Sequence, residues 1–175
     1  LGNIVQITSP LPSEGKSTLT ANLAVSMAAS GKRVLVIDAD LRRPRQHRLL
    51  ANGRELEVGL ATVLAGVHNV NQAILNTGMA NLSLLPSGRI PDNPGELLVS
   101  QKLDEVLASV ANTYDFVILD TPPMLAVADP STIASRVEGV LMTFQLKTPR
   151  NATLRCRELL QKMEANIVGL VVNGL

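Results

Sequence analysis

The amino-acid sequence predicts an α/β fold in three layers, with a mainly parallel central sheet and helices on both faces. Short runs rich in Val, Ile and Leu recur along the 175 residues. Several are apolar at consecutive rather than alternate positions, as strands covered on both faces are. Segments of helical periodicity lie between them, and Gly and Pro stand at the junctions. Such alternation of strand and helix builds three-layer folds around a parallel sheet.

In chain order, Ile4–Thr8 is the first expected strand. The Ala-rich stretch 17–30 follows as a helix, with Gly31 as its stop, and Arg33–Asp38 completes a βαβ unit. Residues 41–81 are less regular, with a short helical piece at Leu60–Leu64. Leu82–Leu85 is the third expected strand. Asn93-Pro94-Gly95-Glu96 then supplies an N-cap, a proline at the first helical position and a carboxylate in the first turn. The helix it opens sets Leu103, Val106, Leu107 and Val110 on one face. After the expected strand Phe116–Asp120, Asp129-Pro130 and Thr148-Pro149 repeat the cap-then-proline signal before two more helices. In the second of these, Cys156, Leu159, Leu160 and Met163 fall at i, i+3, i+4 and i+7, which predicts a buried thiol. Val140–Phe144 and Ile167–Asn173 are the last expected strands. No repeat or linker divides the chain, so residues 1–175 are expected to form one domain.

Composition narrows the function. Apolar residues at 46% and charged ones at 18% describe a globular chain. Sixteen basic and fifteen acidic side chains leave a net charge of +1, and aromatics are only 2%, which argues against nucleic acid as a partner. The single cysteine points to a reducing compartment. No apolar run approaches the ~18 residues of a membrane span, and no stretch of the sequence reads as a signal peptide. His47 and His68 lack neighbours with zinc-ligand spacing.

Three short stretches carry the chemistry, each at the end of an expected strand. The first runs from Ser9 to Thr18 and reads SPLPSEGKST. A helix start offers free N–H groups and a positive dipole end to phosphate oxygens. Lys16 adds a point charge, the Ser17 hydroxyl suits Mg²⁺, and Gly15 lets the backbone turn tightly. Pro10 stands where the common phosphate-loop pattern has its first glycine. The second stretch, VLVIDADLRRP (34–44), ends a strand with Asp38 and Asp40. Two residues apart on an extended chain, they point the same way, although ordinary turn chemistry also explains them. The third, DFVILDTPP (115–123), is an apolar strand that ends in Asp120, the arrangement that holds Mg²⁺ opposite a phosphate loop. Ligand sites of parallel sheets gather at these carboxyl ends. Three such stations together predict a nucleotide site of the P-loop NTPase type.

These motifs resemble the bacterial tyrosine kinases of capsule and exopolysaccharide synthesis. That family lies within the deviant P-loop ATPases, which also include the partitioning ATPases of chromosomes and division sites. The resemblance takes in DADLRRP (38–44), GLATVLAG (59–66), PDNPGELLVS (91–100), ILDTPP (118–123) and IVGLVVNG (167–174), nearly the whole chain. In the family's loop Pro10 is expected, and Ser13 stands where the family has glycine. The extra early lysine of the partitioning type does not occur between Leu1 and Glu14.

The resemblance implies an autophosphorylating protein-tyrosine kinase that uses ATP and Mg²⁺. Pro12, Ser13, Glu14, Gly15, Lys16, Ser17 and Thr18 would wrap the phosphates. Ser17, Asp40 and Asp120 would hold the metal and its waters, and Asp38 would accept or orient the tyrosine proton. Asn173 either touches adenine or is a plain turn residue. A homo-oligomeric ring is implied, together with a membrane-anchored chain-length or activator segment, fused or separate, that places the domain in the cytoplasm at the inner face of the membrane. The family's tyrosine-rich tail and leading helix are not in this sequence, as expected of a chain shortened at both ends. Tyr114, the lone tyrosine, reads as a strand-edge residue rather than an acceptor. The basic run Arg42, Arg43, Arg45, His47 and Arg48 reads first as a solvated loop near bound phosphates, and alternatively as a contact for an acidic substrate or neighbouring subunit. Two other functions stay open: a partitioning-type switch that hydrolyses ATP and dimerises, and a non-catalytic module whose nucleotide gates assembly.

Overall fold

Seven strands form one sheet in the order β3-β4-β2-β5-β1-β6-β7 in the computed structural model, which describes residues 2–53 and 56–174. The strands are β1 (Ile4–Thr8), β2 (Val34–Asp38), β3 (Leu75–Asn76), β4 (Leu82–Leu85), β5 (Phe116–Asp120), β6 (Gly139–Gln145) and β7 (Ile167–Asn173). All pair in parallel except β3, which runs antiparallel to β4. The antiparallel β3 was not expected, because two residues are too few for a periodic signal.

Side chains alternate across the strands, and each face has its own cover. Ile7, Val34, Val36, Leu82, Leu84 and Ile118 pack under α1 (Lys16–Ala29). That helix presents Thr20, Ala24 and Ala28 at four-residue spacing, and such small residues let it lie close to the sheet. On the other face Leu35, Ile37, Val117 and Leu119 meet α3 (Leu60–Leu64), α6 (Gln101–Ala111) and α7 (Asp129–Ala134). Leu103, Val106, Leu107 and Val110 are buried as their spacing predicts. A third cluster joins Val140 and Met142 of β6 to α8 (Arg150–Lys162). The short α2 (Gln46–Leu50), α4 (Val70–Ala73) and α5 (Pro94–Val99) lie in the connections. No helix among the described residues is long and apolar enough to cross a membrane.

Several local expectations are corrected. The helix after Asn93 is two helices, since Ser100 adopts an extended backbone between α5 and α6. Asn93 does not cap the main chain; its amide donates to the Glu96 carboxylate at 2.7 Å. Asp129 lies inside the first turn of α7, where its carboxylate pairs with Arg42 instead of capping. Thr148 precedes α8 without capping it, and its hydroxyl bonds to Glu14. Cys156 and Leu160 are buried, with the thiol pKa pushed up by burial to about 12, but Met163 is 42% exposed because α8 ends before it. Tyr114 precedes β5 half-buried and packs against the main core.

Candidate active site

The phosphate loop leaves β1 at the middle of the sheet, between the ends of β5 and β6. Its shape depends on two residues in the left-handed region, Ser13 at φ 64° and Gly15 at φ 85°. Glycine takes such an angle freely; serine does so at a small cost. The Glu14 side chain is buried and turned inward: its carboxylate accepts the Leu11 N–H at 2.7 Å and the Thr148 hydroxyl. Only the main chain of Glu14 is left to face a ligand. Outside the loop, Met124 N–H donates to Ser9 O at 2.8 Å and Leu125 N–H to Pro10 O at 3.2 Å, so the segment after β5 holds its first limb.

Its second limb is held by the neighbouring strand ends. Gln145 Nε2 donates to Ser13 O at 3.2 Å, and Asn173 Nδ2 donates to Glu14 O and to the Thr143 hydroxyl, both at 2.9 Å. Asn173 therefore ends β7 and buttresses the loop, which corrects the reading of it as a plain turn residue. A Cβ on Gly15 would stand 2.5 Å from the same Asn173 amide nitrogen.

At the start of α1 no described side chain makes a capping bond and no acidic residue occupies the first turn. The free N–H groups and positive end of this 14-residue helix are thus left to an external anion. Pro12, Ser13 and Thr18 are exposed at the mouth, and Ser17 is half-buried. Lys16 is only 7% exposed and makes no ion pair among the described residues. Burial lowers its pKa, while Asp120, Asp40 and Glu14 pull the other way.

Asp38 and Asp120 are register partners on the adjacent strands β2 and β5, and both are fully buried. Asp38 Oδ2 accepts the N–H groups of Arg45 at 3.0 Å and Gln46 at 2.8 Å. Asp120 Oδ2 accepts from the Gln46 side chain at 2.7 Å. The Oδ1 atom of each has no hydrogen-bond partner among the described residues. Burial raises the pKa of Asp38 well above the usual carboxylate range, with the Asp120 charge adding to it. Burial also raises Asp120, to about 6, against the opposing effects of Gln46, Ser17 and Lys16. Asp40 is half-exposed and shows the turn chemistry allowed for it, its Oδ1 accepting the N–H groups of Arg42 at 3.3 Å and Arg43 at 2.9 Å.

No group of three or more His, Cys, Asp or Glu among the described residues can hold a metal by itself. The partnerless Oδ1 of Asp120, whose carboxylate interacts with the Ser17 hydroxyl, nevertheless fits Mg²⁺, which binds a few hard oxygens and keeps several waters. The basic run is only partly a solvated loop. Arg42 pairs through two nitrogens with Asp129, at 2.8 and 3.2 Å. Arg43, Arg45, Arg48 and Arg89 line a groove of about 610 Å³ with His47 and Glu57. Gln46 was missed altogether: a buried glutamine in a basic stretch has no local signature, and only the meeting of α2 with two strand ends brings it inside.

A family model described as an AAA domain matches residues 11–165. Tyrosine-protein kinase YwqD of Bacillus subtilis strain 168 is 43% identical over 171 residues, covering 97% of this chain and 71% of that protein. Tyrosine-protein kinase Etk of Escherichia coli K12 is 37% identical over 175 residues, with 99% of this chain but only 24% of the longer protein covered. The solved kinase domain of Etk superposes with a TM-score of 0.94 at 34% identity, covering 99% of this chain and 68% of that one. MinD of Pyrococcus horikoshii OT3, solved with Mg-ADP, gives a TM-score of 0.84 at 27% identity, covering 99% and 70%. Sheet order, phosphate loop and the paired aspartates thus converge with sequence similarity over nearly the whole length, and the chain belongs to the bacterial tyrosine-kinase family of P-loop ATPases.

Proposed function

We propose that this chain is the ATP-binding catalytic domain of an autophosphorylating protein-tyrosine kinase that regulates exopolysaccharide or capsule chain synthesis and export. The observation that carries the proposal is the uncapped start of α1, which bears Lys16, together with two buried aspartates that each have one oxygen unpartnered among the described residues. The main chain from Pro12 to Thr18 and the Lys16 ammonium hold the ATP phosphates. Ser17, Asp40 and Asp120 hold Mg²⁺ and its waters; the ion, when bound, neutralises charge on the phosphates. Asp38, made more basic by burial, accepts the proton as the tyrosine oxygen bonds to the γ-phosphorus and the bond to the β-phosphate oxygen breaks, releasing ADP. Such chemistry needs positioning and charge neutralisation more than covalent catalysis.

The acceptor side is the basic groove, where Arg43, Arg48 and Arg89 suit a tyrosine flanked by acidic residues. A chain that fills most of one relative and a quarter of another suits a kinase domain that is either a separate subunit or fused to a membrane-anchored chain-length segment. In either arrangement it works in the cytoplasm at the inner face of the membrane, as part of a homo-oligomeric ring.

The test uses γ-labelled ATP, Mg²⁺ and a tyrosine-containing acidic peptide, with Lys16→Met as the control. Phosphotyrosine formed by the wild type alone is the expected result. Phosphate release without phosphotyrosine, even with the native flanking segments attached, would transfer the assignment to a MinD-like ATPase switch. Nucleotide binding with no turnover in the assembled state would leave a nucleotide-gated assembly module.

A further inference from the structure

We infer that Gln46 is a positioning residue for the metal-binding Asp120 and for Asp38 beside it, an inference that rests on the ATP–Mg²⁺ reading above. Gln46 is fully buried in the first turn of α2. Its side-chain amide donates to Asp120 Oδ2 at 2.7 Å and to the Ser17 carbonyl at 3.0 Å. Its backbone N–H donates to Asp38 Oδ2 at 2.8 Å. One residue therefore grips a single oxygen of each buried aspartate and fastens Asp120 to the helix turn that carries Ser17.

What Gln46 leaves open is as informative as what it holds. Asp38 Oδ1, Asp120 Oδ1 and Gln46 Oε1 are all buried without a donor among the described residues. Each such atom is costly to bury when nothing satisfies it. Three partnerless acceptors around one glutamine call for positive charge and O–H donors together, which a hydrated divalent cation supplies. The residue type is chosen by the same logic. A neutral amide orients a carboxylate without cancelling its charge, whereas Lys or Arg at position 46 would compete with the cation. Residues that orient metal ligands in this way change metal affinity by about 10–100-fold when lost.

The experiment measures ADP affinity by calorimetry with and without Mg²⁺, so it needs no acceptor and no turnover. Three chains are compared: wild type, Gln46→Met, which keeps the volume but removes the amide, and Gln46→His, which returns an N–H donor. Gln46→Met should lose about 10–100-fold of the affinity gained from Mg²⁺ and keep its Mg²⁺-free affinity. Gln46→His should recover most of the gain. A purely structural role would instead lower both affinities together with the melting temperature. A folded Gln46→Met chain that keeps the wild-type gain overturns the inference. If that variant does not fold, Gln46→His decides, and a folded histidine variant without the gain overturns it as well. Failure of both to fold makes Gln46 a structural keystone and also overturns it. A wild-type chain that gains nothing from Mg²⁺ removes the ATP–Mg²⁺ reading first, a separate and recognisable failure.

Discussion

Lys16 and Asp120 are buried charges whose pKa values move toward each other, Lys16 down and Asp120 up to about 6. Both shifts come chiefly from burial, so the folded chain stores unfavourable charge at the place where it would meet phosphate and metal. Asp120 contributes to the pH response alongside the buried Asp38, which burial also raises. The folded pKa of Asp120 lies above the usual 3.8, so the folded state binds this proton more tightly than the unfolded state does. The stabilisation it brings is complete below about pH 4 and is lost as pH rises through about 6. Asp120→Asn should therefore raise nucleotide-free stability at pH 7.5 by about 1–3 kcal/mol in chemical denaturation. The same variant should lose the gain in ADP affinity from Mg²⁺. In the wild type that gain should shrink as pH falls below about 6, because the protonated carboxyl no longer attracts a cation. A gain that stays flat from pH 7.5 to 5 would exclude Asp120 from the metal site.

Elements in this fold are tied to the site by their ends. β7 is an edge strand with Val168, Leu170 and Val172 exposed, yet its final residue reaches back to the phosphate loop. Asn173→Ala removes both buttressing bonds and leaves Glu14 O with only the 3.4 Å contact from Thr143. It should cost about 1–2 kcal/mol of stability and weaken ADP binding whether or not Mg²⁺ is present. That pattern is opposite to the one expected of Gln46 and is read by the same calorimetry. Gly15→Ala should be worse, since it adds a Cβ at positive φ directly against the Asn173 amide.

Across the whole molecule, the Arg42–Asp129 pair joins the loop after β2 to α7, elements 87 positions apart in the chain. Asp129 is buried at 4% side-chain exposure and Arg42 is 41% exposed. Arg42→Ala strands a buried carboxylate and should cost about 1–3 kcal/mol, with the exposed arginine's own share reduced by solvent. Asp129→Asn should cost less, and the double variant should fall short of the sum in urea titrations. Arg43 and Arg48 of the basic groove have no such partner in the ion pairs of the described residues. Reversing their charge should raise KM for an acidic tyrosine peptide several-fold and leave ADP affinity unchanged, as peptide titrations at two salt concentrations would show.

Strands, the long helices and the three strand-end stations were legible in the sequence because each depends on neighbours within a few residues. Apolar runs mark β1, β2, β4, β5, β6 and β7, and Gly15-Lys16-Ser17, Asp38 and Asp120 declare themselves by the strands they end. The break at Ser100, the two-residue β3 and the real partners of Asp129, Thr148 and Asn173 were not legible, because each is settled by a group far along the chain. The sequence by itself therefore determined that this protein has a parallel sheet with a phosphate loop and two acidic strand ends. Only the tertiary structure decided that Asp38 and Asp120 stand side by side, that Gln46 is the residue between them, and that Glu14 faces inward. Register and burial create those relations, and they come from sheet order and packing, which no local pattern of residues encodes.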